Sequence, residues 1–163
     1  PHDALDVYGK TKSLGEVPSE RVRHLRCSII GPEPKDGKFL LEWFLGQPEG
    51  AALKGFANHD WNGVTTLQFA RLCAGIIGSA VDLPLRQHVV PANRVSKLEL
   101  LEIFARVYGR DDLEIARAEA PYAADRTLAT ENAGTRDKLW QCAGYGEVPS
   151  IEDMIRELAE YKL

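Results

Sequence analysis

Cysteine and long apolar runs are both scarce in this chain, and each scarcity excludes something. Its 163 residues hold three cysteines, Cys27, Cys73 and Cys142, far apart and each among apolar neighbours. That count excludes a disulfide framework and reads as reduced, buried thiols of a cytoplasmic protein. No run of about 18 apolar residues exists, so no helix spans a membrane. Residues 1–15 are polar, with Lys10 and Lys12 but no hydrophobic segment, so no signal peptide is visible. Positive charge is not in excess either. Twenty Lys and Arg face 24 Asp and Glu, for a formal charge of −4, which draws neither nucleic acid nor an anionic membrane.

Site motifs are equally sparse. The four histidines (His2, His24, His59, His88) share no ligand spacing, and Cys-x-x-Cys and His-Glu-x-x-His are missing, so no metal is expected. There is no Gly-x-Ser-x-Gly and no phosphate loop. The one Gly-x-Gly, Gly144-Tyr145-Gly146, runs toward Pro149 instead of joining a strand to a helix, so it cradles no dinucleotide pyrophosphate. A first residue of proline in place of methionine points to a chain cut from something longer.

What is present reads as alternating strands and helices. With 44% hydrophobic residues the chain can bury a core without metal or disulfide. Residues 24–30, HLRCSII, predict one buried strand stopped by Gly31-Pro32. Residues 38–45 predict a short helix with Leu40, Leu41, Phe44 and Leu45 on one face. A strand is expected at 52–57. Residues 64–80 predict a mostly buried helix, on which Thr65, Gln68 and Arg71 form a narrow solvated stripe. Strands follow at 87–90 and 113–116. Between them Ser96 and Glu99 form a capping box, with Val95 stapling onto Leu100. That helix turns Leu98, Leu101, Phe104, Ala105 and Tyr108 inward and stops at Gly109. A last helix starts at the N-cap Ser150, with Ile151, Met154, Ile155 and Leu158 inward and a solvated face over 152–160. This alternation indicates an α/β or α+β layered domain.

One local pattern carries chemistry. On a helix Tyr8 and Lys12 share a face. A phenol acts as an acid or base near neutrality when its anion is stabilised, and a neighbouring ammonium does that. A solvated helix with a half-buried tyrosine reads equally from the pair alone.

The wider context resembles a known family. Tyr8-Gly9-Lys10-Thr11-Lys12-Ser13-Leu14-Gly15-Glu16 is similar to the Tyr-x-x-x-Lys helix of extended short-chain dehydrogenase/reductases, where Y-G-x-[ST]-K-x-x-G-E is usual. Leu25-Arg26-Cys27-Ser28-Ile29-Ile30-Gly31 resembles the L-R-x-S-I-I-G strand and loop that follow it. Residues 40–45 and 61–67 are similar to the substrate half of the dTDP-4-dehydrorhamnose reductase branch, and 125–128 and 144–150 resemble its C-terminus. The resemblance covers the chain in order.

It implies the C-terminal, substrate-binding half of a Rossmann-type α/β enzyme that uses NAD or NADP on a nucleotide-sugar. Residues 1–33 would be the last helix and strand of the Rossmann half, and 34–163 the substrate-binding region. Tyr8 would donate a proton to the sugar carbonyl, and Lys12 would hold the nicotinamide ribose and lower the phenol's pKa. Ser28, Ile29, Ile30 and Gly31 would border the nicotinamide. Trp43, His59, Trp61, Asn62 and Arg126 would face the sugar nucleotide.

The departures matter as much. The Gly-rich Rossmann half is absent, and no hydroxyl residue precedes Tyr8 to serve as the family's third catalytic partner. An arginine of the wider family is replaced by His59, leaving Arg86, Arg94 and Arg126 as substitutes for a phosphate anchor. Without its Rossmann half the piece is expected to self-associate. A non-catalytic module that binds a sugar nucleotide or a protein partner is the alternative. Each site residue also has a structural reading: Trp43 and Trp61 as core or rim aromatics, His59-Asp60 as a hydrogen-bonded loop pair, Arg126 as a carbonyl cap.

Overall fold

Fifteen short elements follow one another in the computed structural model, which describes residues 7–34 and 37–161. They are α1 (Val7–Leu14), β1 (His24–Arg26), β2 (Ile29–Ile30), α2 (Leu40–Leu45), β3 (Ala52–Phe56), β4 (His59–Trp61), β5 (Val64–Thr65) and α3 (Thr66–Ser79). Then come β6 (Arg86–His88), β7 (Val95–Ser96), α4 (Lys97–Tyr108), β8 (Glu114–Ala118), β9 (Ala124–Arg126), α5 (Ala133–Cys142) and α6 (Ile151–Glu160). The α/β class expected from the sequence is the class observed.

The strands pair in small sheets joined by crossovers. β1 runs parallel to β6 with His24 opposite Arg86, and β2 parallel to β5 with Ile30 opposite Thr65. β3 and β8 form the longest pair, parallel over five residues from Ala52–Glu114 to Phe56–Ala118. β4 lies between antiparallel β7 and parallel β9. Parallel partners need a long return path; between β3 and β8 it runs from β4 through α4, and α4 packs on both strands.

Helix α4 forms where local chemistry dictates. Ser96 accepts from the Glu99 N–H while the Glu99 carboxylate takes the Ser96 N–H, closing the capping box. Gly109, at φ 65°, ends the helix in the left-handed region, which its missing Cβ permits. The helix buries Leu98, Leu100, Leu101, Ile103 and Phe104, and Val95 joins Leu100 in the same core; Tyr108 is half-buried. The Phe44 and Phe104 rings pack 5.5 Å apart, fixing α2 on α4. Helix α6 repeats the device with Ser150 and Asp153 and buries Ile151, Met154 and Ile155.

Several expectations are corrected. The strand over 24–30 is two strands, because Cys27-Ser28 leaves the ladder: the Ser28 carbonyl accepts from Val64 N–H and the Arg26 carbonyl from Val89 N–H. It is half-buried, and Ile29 is exposed. The helix expected from Lys38 begins at Leu40, since Phe39 is its extended N-cap. The strands expected at 87–90 and 113–116 run over 86–88 and 114–118, and β4, β5, β7, β9 and α5 were not foreseen. All three thiols are free and half-buried.

The largest correction concerns α3. Thr65 and Gln68 are buried and Arg71 is half-buried, while Ile77 on the opposite side is 82% exposed. The expected solvated stripe is the inner one. Gln68 Nε2 donates to Glu157 Oε2 (2.6 Å) and Tyr145 Oη (3.1 Å), and its side-chain oxygen accepts from Thr65 Oγ1. Tyr145 donates to Glu157 (2.7 Å), and Arg71 pairs with Glu157 and lies 5.9 Å from the Tyr145 ring centroid. Mutual pairing makes burial of these groups tolerable. Burial, then Glu157, push the Tyr145 phenol above its ordinary pKa. Glu157 therefore leaves the solvated face that was expected for 152–160.

Candidate functional site

Three features gather the chemistry-bearing residues. The first is an apolar groove of about 360 Å³ lined by Ile29, Ile30, Gly31, Pro32, Phe39, Leu40, Leu41 and Thr66. It forms where β2 ends against the N-terminus of α3. A Cβ on Gly31 would lie 2.6 Å from Thr66 Cγ2 and closer still to its hydroxyl, so only glycine lets the two segments meet. The groove thus holds three of the four residues expected beside a nicotinamide. Ser28 stands behind it, its hydroxyl accepting from Trp61 Nε1 at 2.7 Å. Ser28 and Trp61 are brought together; the indole N–H is used, while the Ser28 hydroxyl keeps its proton to donate.

The second is an aromatic cluster around Lys97. Its ammonium lies 5.9 Å from the Trp43 ring centroid and 5.7 Å from that of Phe56, and Phe56 packs on the His59 ring at 5.2 Å. Trp43 is a rim aromatic, 37% exposed. His59 and Asp60 do not form the expected loop pair. Both lie in β4, and His59 Nε2 contacts the Tyr122 carbonyl (3.3 Å).

The third is a polar cavity of about 420 Å³ between the β6–β7 connection, the segment after β9 and α5. Asn62 lines it, yet its amide is spent on the Leu128 N–H and carbonyl, both at 2.7 Å. Asn58 brackets Ala120 in the same way at 2.9 Å, so the two amides staple the ends of β4 to the β9 region. Arg126 lies on β9 opposite Trp61, exposed, and caps no carbonyl among the described residues.

Tyr8 and Lys12 meet on α1 as their spacing requires, with Lys12 Nζ 5.5 Å from the Tyr8 ring centroid. None of α1's residues is buried, and Tyr8 is 74% exposed. No hydrogen bond ties either side chain to the groove among the described residues. The residue that anchors the following segment is Glu16. It takes Arg26 in a fork at 2.6 and 2.7 Å and Arg86 at 2.7 Å. These guanidinium bonds, Arg26 first, hold its carboxyl down at about 2 against the opposing effect of burial. The Glu closing the Y-x-x-x-K segment and the arginine of the next strand were the available signal for that anchor.

Two chemistries are disfavoured by the geometry. Burial, and then the nearby Cys73, push the Cys27 thiol up to about 11, and burial raises Cys73 as well, which keeps both from acting as thiolates. Among the described residues no group of three His, Cys, Asp or Glu could hold a metal, and no helix is long and apolar enough to cross a membrane.

Neither a family model nor a curated protein sequence matches this chain. Solved structures do. A dTDP-4-dehydrorhamnose reductase ortholog from Clostridium acetobutylicum matches with a TM-score of 0.55 at 12% identity, over 82% of this chain and 46% of that one. The dTDP-4-dehydrorhamnose reductase of Bacillus anthracis, in complex with NADP, gives 0.56 at 10% identity over 80% and 44%. A UDP-N-acetylglucosamine 4-epimerase from Methanobrevibacter ruminantium, in complex with UDP-N-acetylmuramic acid, gives 0.54 at 16% over 83% and 44%. The likeness is one of fold. This chain has part of the mixed α/β fold seen in sugar-nucleotide reductases and epimerases, and it spans a little under half of their length.

Proposed function

We propose that this chain is the substrate-binding half of an NAD(P)-dependent enzyme that reduces a 4-keto nucleotide-sugar in the cytoplasm. Residues 1–33 belong to the nucleotide-binding half and 34–163 form the substrate-binding region. The observation that carries this reading is the order of parts. A Tyr-x-x-x-Lys face on α1 is followed by a parallel strand that runs into an apolar groove, in a fold shared with sugar-nucleotide reductases.

The groove fits the nicotinamide end of NAD(P): it is apolar, and in its wall the Thr66 side chain packs against bare Gly31. The cofactor, when bound, supplies the hydride. Tyr8 Oη donates the proton to the sugar's carbonyl oxygen, and the Lys12 ammonium favours the phenolate this leaves. Ile29, Ile30 and Pro32 exclude water. Trp43, His59, Trp61, Asn62 and Arg126 border the sugar-nucleotide side, with Trp61 and Asn62 acting through the walls they brace. The test is NADPH consumption with a dTDP-4-keto-6-deoxyhexose, using this chain joined to its nucleotide-binding half. Activity without that half would sink the division of labour.

A second reading is favoured by one observation, the exposure of Tyr8 and Lys12, neither hydrogen-bonded to the groove among the described residues. It makes the chain a non-catalytic module that binds a sugar nucleotide or a protein partner. Such a module stays indifferent to NADPH when the nucleotide-binding half is added. On either reading the exposed Val7, Leu14 and Ile29 of α1 and of the strand region after it predict self-association of the isolated chain. Light scattering that reports a monomer at 100 μM, on the order of a working concentration, would contradict it.

A further inference from the structure

The apolar groove beside β2 contains one polar side chain, which the sequence motifs did not single out. Seven of its eight lining residues offer only carbon or, at Gly31, no side chain at all. Thr66 alone adds a polar side-chain atom. Ser28, the other hydroxyl of this region, stands behind the groove and takes the Trp61 indole N–H.

The Thr66 hydroxyl is left unspent by the way α3 begins. A threonine inside a helix can turn its Oγ1 onto the carbonyl three or four residues back. Thr66 is the first residue of α3, so no helical turn precedes it, and its hydroxyl makes no hydrogen bond among the described residues. Capping falls to its neighbour Thr65, whose hydroxyl is engaged by Gln68. Gln68 is held in turn by Glu157 and Tyr145, so the turn that carries Thr66 is fixed from its buried side. On the groove side Gly31 makes the room, since a Cβ there would crowd both the hydroxyl and the methyl of Thr66. Branching at Cβ restricts χ1, and the Gly31 backbone packed against the side chain restricts it further.

An apolar slot with a single unspent hydroxyl selects a ring that is mostly carbon and bears one neutral polar group. A charged substituent would lose water there without a counter-charge, and a purely apolar ring would leave the hydroxyl unmatched. A carboxamide suits the slot, because it both accepts and donates and a hydroxyl can answer either way. At about 360 Å³ the groove is of a size that holds a small ring and part of what carries it.

We propose that Thr66 is a specificity-determining residue of the groove, its hydroxyl hydrogen-bonding the carboxamide of the nicotinamide ring. The assignment rests on the reading above that the groove takes the nicotinamide end of NAD(P), and adds the contact that orients the ring.

The test follows the amide signals of the groove itself by nuclear magnetic resonance. The full chain, labelled with ¹⁵N, is titrated with reduced nicotinamide mononucleotide and, separately, with ribose 5-phosphate, which lacks the ring. The mononucleotide should shift the Ile30, Gly31, Leu41 and Thr66 amides saturably, and ribose 5-phosphate should not. Thr66→Val keeps the shape but removes the hydroxyl, and should weaken binding about three- to tenfold. Thr66→Ser keeps the hydroxyl and should stay within about twofold of the parent chain. Circular dichroism melts check folding, and Thr66→Ala decides if Thr66→Val is unfolded. Equal affinity of the Thr66→Val and parent chains, with the groove amides still shifting, overturns the Thr66 assignment and leaves the nicotinamide reading standing. No saturable shift with the mononucleotide, or an equal one with ribose 5-phosphate, overturns both.

Discussion

Replacing Gln68 with alanine tests which face of α3 looks inward. Gln68 is fully buried and its amide bonds Glu157, Tyr145 and Thr65 at once. The substitution removes a hydrogen bond to a carboxylate, worth about 1.5–3 kcal/mol, and two neutral ones worth about 0.5–1 kcal/mol each. It also opens a cavity beside Tyr145, while part of the loss is recovered where Arg71 still holds Glu157. The net expectation is about 3 kcal/mol. At about 2–4 °C per kcal/mol for a chain of this size, that lowers the melting temperature by roughly 6–12 °C. Ile77→Gln, on the exposed opposite side, should cost less than about 0.5 kcal/mol. Thermal melts followed by circular dichroism compare the two. If Ile77→Gln is the more damaging substitution, α3 packs the other way round and the buried network is wrong.

Other expectations follow from the same geometry. The Glu16 carboxyl, ordinarily at 4.5, is held near 2 in the folded chain. Its stabilising contribution is therefore complete above about pH 4.5 and lost as pH falls from there toward 2. Glu16→Gln should flatten that part of the stability–pH curve, and an unchanged curve would refute the anchor. Gly31→Ala should destabilise the chain because the new Cβ meets Thr66, and Thr66→Gly should restore it. A denaturant midpoint unmoved by Gly31→Ala would mean that the groove is looser than described.

How much of this was legible in the sequence depends on how local the determining interactions are. Helix α4 was legible to its ends because the capping box, the apolar spacing and the Gly109 stop lie within fourteen residues of one another. Helix α6 was legible for the same reason. For α3 the periodicity gave the axis of the helix but the wrong side. Its polar stripe is buried by partners 77 and 89 positions away, Tyr145 and Glu157, which no local pattern announces. Helix α5 was missed because Asn132 gives it no side-chain cap and it buries only Leu139 and Trp140. The two-residue strands β2, β5 and β7 have no room for a pattern. In the candidate site the Tyr8–Lys12 face was readable from i, i+4 spacing, and the residues bordering the groove from the L-R-x-S-I-I-G resemblance. The choice among the arginines was not readable. It turns on which of them Glu16 engages, a matter of contacts far apart in the chain.

The most direct test of the central claim is turnover of a dTDP-4-keto-6-deoxyhexose with NADPH by this chain joined to its nucleotide-binding half, compared with its Tyr8→Phe form. Removing the phenol removes the proton donor, and positioned acid–base groups contribute about 10²–10⁴-fold in rate. The account predicts a loss of that order with unchanged folding. Near-normal turnover by the Tyr8→Phe protein would contradict it.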